Sequence, residues 1–388
     1  MTIKPQASQL GRFATPYYYY NEELLQQTID SLKQEMSKDS RYVMHYAIKA
    51  NANPVVLRHI QQAGFGIDCV SGGEIELACQ AGFDPKLIVF AGVGKADWEI
   101  ETGLKYGIGC FNVESVPELE VINQLAQQAH TTANVCLRIN PNVGAHTHAN
   151  IVTGLSDNKF GIDMAHMMHV IDLTQKMEHT QLIGLHFHIG SQIVEMEDFI
   201  ALCNRINELQ DDLDHQGIKL KIINVGGGLG IDYDNPDTNP LPDFKSFFAV
   251  YRQNLKLRNG QELHFELGRA IVAQCGSLIT RVLYVKDNTN KKFVIIDGSM
   301  TELIRPALYG AHHKIKNLSS SKAAETYDVV GPVCESSDVF ATDISLPQTQ
   351  RGDIIAILSA GAYGETMASG YNQRPLPKSY TDNDIMAE

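Results

Sequence analysis

The chain has 388 residues, 44% of them hydrophobic and 20% charged, enough for at least one large core and, by length, two domains. Its formal net charge of -13 excludes a general affinity for nucleic acid or anionic membrane, since both demand clustered positive charge. No stretch is long and apolar enough to span a bilayer, the opening Met1-Thr2-Ile3-Lys4-Pro5-Gln6 lacks the apolar centre of a secretory signal, and the seven cysteines are scattered without a C-x-x-C pair. A cytoplasmic location with reduced thiols, no disulfide frame and no membrane partner is expected.

Taken in chain order, the first 40 residues hold Thr15-Pro16-Tyr17-Tyr18-Tyr19-Tyr20, of high β propensity, and a helical pattern over 22–35. From residue 43 onward, eight short β-rich runs (43–49, 65–70, 87–91, 107–113, 134–139, 182–189, 222–226 and 262–266) alternate with longer segments of helical spacing. Those helical segments include 55–63, 74–81, 115–129, 164–176, 199–215 and 244–257. Ser71 before Glu74 and Ser115 before Glu118 are N-cap signals, and Gly64, Gly82 and Gly217 stand where left-handed helix stops are expected. After Gly268 the pattern changes to strand-like runs at 271–285, 292–297, 326–330 and 353–358, separated by turn-rich sequence. The fold class is therefore α/β: a TIM-like (β/α)8 barrel over 21–267, with a β domain assembled from 1–20 and 268–388. A doubly wound open sheet is the main rival, and the acidic tail from Asp382 is expected to fray.

In such a barrel chemistry sits at the C-terminal ends of the strands, and the residues there are polar: Lys49, Asp68, Asn112, Arg138, His188, Gly226-Gly227-Gly228 and Glu266. Lys49 alone reads first as a strand-end lysine reaching for water, but a lysine at the mouth of a buried strand can also present the neutral amine that a carbonyl cofactor joins, and the rest of the chain favours that second reading. The glycine triplet with Gly230, followed by Gly268 and Arg269 after the eighth run, suits either a tight turn or a phosphate grip. Glu266 ends an apolar run, where a carboxylate could keep a pyridine nitrogen protonated. His186 and His188 alternate along the sixth run, so both are expected to point to the same face. Further ligands for a metal are not evident there, so no metal is expected; His188 is better placed to stack on a cofactor ring, with Ser191 offering a hydroxyl to its phosphate. His146 and His148 read as a polar loop. Amine, acid and phosphate cradle together point to pyridoxal phosphate.

The segments Tyr46-Ala47-Ile48-Lys49-Ala50-Asn51, Asn158-Lys159-Phe160-Gly161, His186-Phe187-His188-Ile189-Gly190-Ser191-Gln192, Gly226-Gly227-Gly228, Glu266-Leu267-Gly268-Arg269, Gly331-Pro332-Val333-Cys334-Glu335-Ser336 and Gly361-Ala362-Tyr363-Gly364 extend from one end of the chain to the other. Jointly they make it resemble the fold type III pyridoxal-phosphate-dependent decarboxylases. The resemblance implies that Lys49 carries the cofactor, that His188 stacks on it, and that Glu266 faces its ring nitrogen. Ser191, Gly228, Gly268, Arg269 and Tyr363 would complete the cofactor site. It also implies an obligate homodimer with shared sites, in which Cys334 and Glu335 reach the partner's pocket and Cys334 returns a proton after carbon dioxide leaves. Arg269, Arg305, Tyr309, Glu335 and Tyr363 would choose the substrate. Arg305 and Tyr309, four apart, share a face in a helical turn and could clamp a distal carboxylate, although a surface ion pair is the plain alternative for Arg305. The implied reaction converts meso-2,6-diaminopimelate to L-lysine. A relative acting on carboxynorspermidine, ornithine or lysine, or a silent one that binds a protein partner, is the alternative. Leu267 stands where the family usually has proline.

Overall fold

The computed structural model describes residues 2–144 and 159–387; His146, His148 and Asn158 lie outside the described residues. One compact unit comprises 29–230 and 243–268. Among the described residues, eight parallel strands form its ring: β1 (Tyr42–Ala47), β2 (Gly66–Cys69), β3 (Ile88–Phe90), β4 (Cys110–Val113), β5 (Ala133–Asn140), β6 (Thr180–His186), β7 (Ile222–Asn224) and β8 (Glu262–Leu267), with the two-residue strand Ile162–Asp163 paired beside β5. Each pairs with the next, and β8 returns to β1 with Glu266 opposite His45 and Leu267 opposite Tyr46, so the sheet closes into a barrel. Leu267, in the place of the family's proline, continues that ladder and is 1% exposed.

Each predicted run overlaps one of these strands, but three of the strands end two or three residues early. β1 stops at Ala47, and Lys49 rides on a single 3-10 turn, Ile48–Ala50, because Asn53 caps the next helix and Pro54 opens it. β6 stops at His186, so His188 lies past the strand and does not continue the expected alternation. β7 stops at Asn224, where Gly226 takes a positive φ of +67° and turns the chain out of the sheet.

The intervening helices begin as their caps dictate: Ser71 Oγ accepts from Glu74 N–H at 3.2 Å and Ser115 Oγ from Glu118 N–H at 3.3 Å. Gly64, Gly82 and Gly217 all have positive φ at the helix stops. Phe265 on β8 meets Tyr42, Phe247, Phe248 and Tyr251 with ring centroids 5.0–5.8 Å apart, which places its side chain against the helix Phe244–Asn254 and beside Tyr42 of β1. By the two-residue period of a strand, His264 and Glu266 then face the barrel interior. There His264 Nδ1 meets His45 Nε2 at 2.9 Å.

The other unit comprises 1–28, 231–242 and 269–388. Its sheet is centred on Gly276–Asp287, flanked by Ile354–Ile357 on one side and Lys292–Ile296 on the other, and extended by Ile315–Asn317, Ala324–Val330 and Val339–Pro347. Tyr17–Tyr20 pairs antiparallel with Gly276–Asp287 and parallel with Lys378–Thr381, and all four tyrosines are buried. The predicted run from 271 begins instead with a short helix, Arg269–Val272, before the strand starts at Gly276. The tail is also ordered where fraying was expected. Thr381 and Asp384 form a capping box for the helix Asp382–Met386, and Ile385 is fully buried against Leu10, Tyr17 and Ile279.

Because Phe265 holds the aromatic cluster on the outer face of the strand that carries Glu266, Phe265→Ala should cost about 3–5 kcal/mol of stability, read as a fall in the urea midpoint.

Candidate active site

At the C-terminal end of the barrel, Glu266 is 7% exposed and accepts hydrogen bonds from His186 Nε2 at 2.9 Å, Asn224 Nδ2 at 2.7 Å and Asn112 Nδ2 at 3.1 Å. These donors come from the ends of β6, β7 and β4. Burial pushes the Glu266 pKa up, but His186, with Lys49 and His45, outweighs it and holds the carboxyl well below the usual range. Glu266 therefore stays ionised.

Lys49 Nζ lies 2.9 Å from Asp68 Oδ2; the lysine side chain is 40% exposed while that of Asp68 is 1% exposed. Burial lifts the Asp68 pKa to about 6, against the pull of Lys49 and with the repulsion of Glu266. Its other oxygen, Oδ1, has no hydrogen-bond partner among the described residues. His188 Nδ1 accepts from Gly227 N–H at 3.3 Å, so its ring proton sits on Nε2. Burial, then Arg138 and Lys49, drive its pKa well below 6.5, leaving a neutral, flat ring. Glu114 joins this region without a signal in the sequence: it accepts from Arg138 Nη1 and Gly92 N–H at 2.9 Å, and Arg138 stacks 4.7 Å over Phe160.

The glycine triplet is bare backbone for steric reasons. A Cβ on Gly227 would lie 2.1 Å from the Glu266 carbonyl oxygen, and one on Gly228, at a φ of +110°, would lie 2.8 Å from that of Gly190. Among the described residues nothing accepts the Gly228 N–H. An ionised carboxylate, a half-exposed amine, a neutral imidazole and an uncommitted amide on a glycine turn fit pyridoxal phosphate, whose nitrogen, aldehyde, ring and phosphate need one group each. Gly268 closes the region, its Cβ position only 3.0 Å from the Cβ of Ala50.

Ser191 lies in the barrel unit, and the remaining candidates lie in the other unit. Arg269 and Arg305 are 7% and 5% exposed, and each donates through Nη1 to the Tyr233 hydroxyl, at 2.7 and 3.0 Å. Arg305 also reaches His313 Nε2 at 2.9 Å, and Arg269 lies 5.1 Å over the ring of Tyr363, a residue with a positive φ of +56°. Arg305 is thus not the surface ion pair that its acidic surroundings allowed. Tyr309 closes the short helix that Arg305 opens. Cys334 and Glu335 are exposed, Glu335 accepting from Tyr371. Tyr233, His313, Asn224 and Glu114 were not singled out from sequence. Tyr233 follows the glycine triplet by five positions, the one local hint available.

Residues 23–273 match the model of the pyridoxal-dependent decarboxylase pyridoxal-binding domain. The chain belongs to that decarboxylase family. It is 62% identical to the diaminopimelate decarboxylase of Bacteroides thetaiotaomicron over 96% of both chains, and 43% identical to that of Helicobacter pylori over 93% of this chain and 88% of the relative. The crystal structure of the Helicobacter pylori enzyme complexed with L-lysine superposes with a TM-score of 0.91 at 39% identity, over 96% of this chain and 93% of that one.

Asp68 yields a prediction with a definite sign. Its folded pKa of about 6 lies above the ordinary 3.8, so its contribution to stability is complete below about pH 4 and is lost as the pH rises through 6. Asp68→Asn should therefore gain stability relative to the parent, on the order of 1–3 kcal/mol, as the pH is raised from about 4 to 7. Urea midpoints across that range measure it; a constant difference contradicts it.

Proposed function

We propose that this chain converts meso-2,6-diaminopimelate to L-lysine and carbon dioxide, the last step of lysine biosynthesis, with pyridoxal phosphate as cofactor. The observation that carries this reading is the grouping of the Lys49–Asp68 pair, ionised Glu266 and the glycine turn at one barrel mouth. Lys49 would provide the amine that joins the cofactor, Glu266 would face its nitrogen, and His188 would lie against its ring. Ser191, Gly228, Gly268, Arg269 and Tyr363 would hold its phosphate end. When bound, the cofactor supplies an electron sink for the pair left by the departing carboxylate.

The side chains of this chain do the rest. Asp68 Oδ2 holds the Lys49 ammonium at 2.9 Å and, with its raised pKa, can take a proton near neutral pH. Glu266 keeps a proton on a nitrogen base set against it, as only a permanently ionised acid can. Arg305, aided by Arg269, Tyr309 and Tyr363, holds the carboxylate that the substrate retains. Among the described residues Arg305 has no carboxylate partner, only Tyr233 and His313, and a buried cation with neutral partners favours an anionic ligand. Ornithine and lysine lack the second carboxylate, so they leave that cation unmatched.

Two copies form the working enzyme in this reading. Cys334 of one protomer delivers a proton to the reacting carbon in the other, and Glu335 holds the distal ammonium; the exposure of both residues supports this role. The enzyme works in the cytoplasm, in keeping with seven cysteines that are all free. No helix among the described residues is long and apolar enough to cross a membrane.

Purified protein should release carbon dioxide and L-lysine in equal amounts from meso-diaminopimelate and little from ornithine or L-lysine. Lys49→Ala should lower turnover by about a thousandfold or more and abolish visible cofactor absorbance. Turnover of ornithine in preference to diaminopimelate would defeat the substrate assignment.

A further inference from the structure

Tyr233 is absent from the roles set out above, yet its hydroxyl is where the two buried guanidiniums meet. Arg269 and Arg305 each donate to it, the Arg305 guanidinium stacks 5.1 Å over its ring, and the ring sits edge-on to His313 at 5.2 Å. Arginine N–H groups only donate, so the phenol oxygen serves both as acceptor and its own O–H proton remains to be given. Among the described residues no acceptor takes it. On the far side, His313 Nδ1 donates to the Leu358 carbonyl at 2.9 Å, which leaves Nε2 as an acceptor for Arg305 and holds that guanidinium from two directions. Two like charges brought together on one neutral oxygen repel each other unless an anion joins them.

We infer that Tyr233 is a specificity-determining residue of this reaction: it holds Arg269 and Arg305 side by side and donates its hydroxyl proton to the carboxylate that substrate and product share. This deepens the functional reading and rests on it. A group that recognises carboxylate contributes to binding of L-lysine and nothing to binding of cadaverine, the same carbon chain and two amines without the acid. A group that merely supports the fold contributes to both alike.

The test compares inhibition of the holoenzyme by L-lysine and by cadaverine in Tyr233→Phe, which keeps the ring and removes the oxygen. L-lysine affinity should fall about tenfold or more, as for loss of a charge-assisted hydrogen bond, with KM for meso-diaminopimelate rising by more than kcat falls. Cadaverine affinity should change by less than about twofold, and the visible cofactor absorbance should persist. Equal losses for both inhibitors, or no loss for L-lysine, overturn the inference. Should Tyr233→Phe not fold, His313→Leu removes the second acceptor of Arg305 and must show the same split. If the parent protein itself releases no carbon dioxide from meso-diaminopimelate, the functional reading fails; if it does and the inhibitors lose affinity in parallel, only the role of Tyr233 fails.

Discussion

The structure depends on keeping one carboxylate ionised inside a barrel. Glu266 faces inward from β8, and water cannot reach it in quantity, so its charge survives only because His186, Asn112 and Asn224 donate to it. Each donor stands at the end of a different strand, which ties the carboxylate to the register of the whole ring. A slip of one residue in β8 would send Glu266 to the helices and Phe265 into the interior, exchanging a satisfied charge for an unsatisfied one. The outer aromatic cluster and the inner carboxylate therefore specify the same register from opposite faces.

Asp68 shows what happens to an equally buried acid with poorer partners. Among the described residues its carboxylate is held by the half-exposed Lys49 amine alone, its second oxygen is unpaired, and Glu266 adds a like charge. The two acids consequently separate, one far below the ordinary range and one raised to about 6. Such a separation divides labour: a permanent negative charge can stabilise a bound cation, while a group titrating near neutrality can exchange a proton.

Most of the barrel was legible because its signals are local and redundant. Ser71 and Ser115 fall where caps must fall, Gly64 and Gly82 where left-handed stops must, and the polar residues gather at the C-terminal ends that barrel geometry reserves for chemistry. What escaped detection depends on packing between distant segments. Asn224 looks like an ordinary strand-end residue until Glu266, 42 positions away, needs a donor. Glu114 acquires meaning only from Arg138 and the amides of Gly92 and Gly161. The acidic tail was misread for the same reason: charge patterning suggested fraying, whereas burial of Ile385 against Leu10 and Tyr17 decides the matter. Strand ends were overrun where turn chemistry at Asn53-Pro54 and Gly226 overrode β propensity.

The arginine pair extends this argument to the other unit. A chain with a net charge of -13 attracts anions only where cations are concentrated and shielded from its own acids. Arg269 and Arg305 meet that condition through burial and a shared phenol oxygen, with His313 kept neutral, its pKa lowered to about 3 by burial and by Arg305. Had a carboxylate stood in place of Tyr233, the pair would be neutralised within the protein and indifferent to ligand charge. A phenol accepts from both without cancelling either, so the positive potential remains available to a ligand. Selectivity for an amino acid that keeps a carboxylate after losing one then follows from the choice of a neutral acceptor over an acidic one.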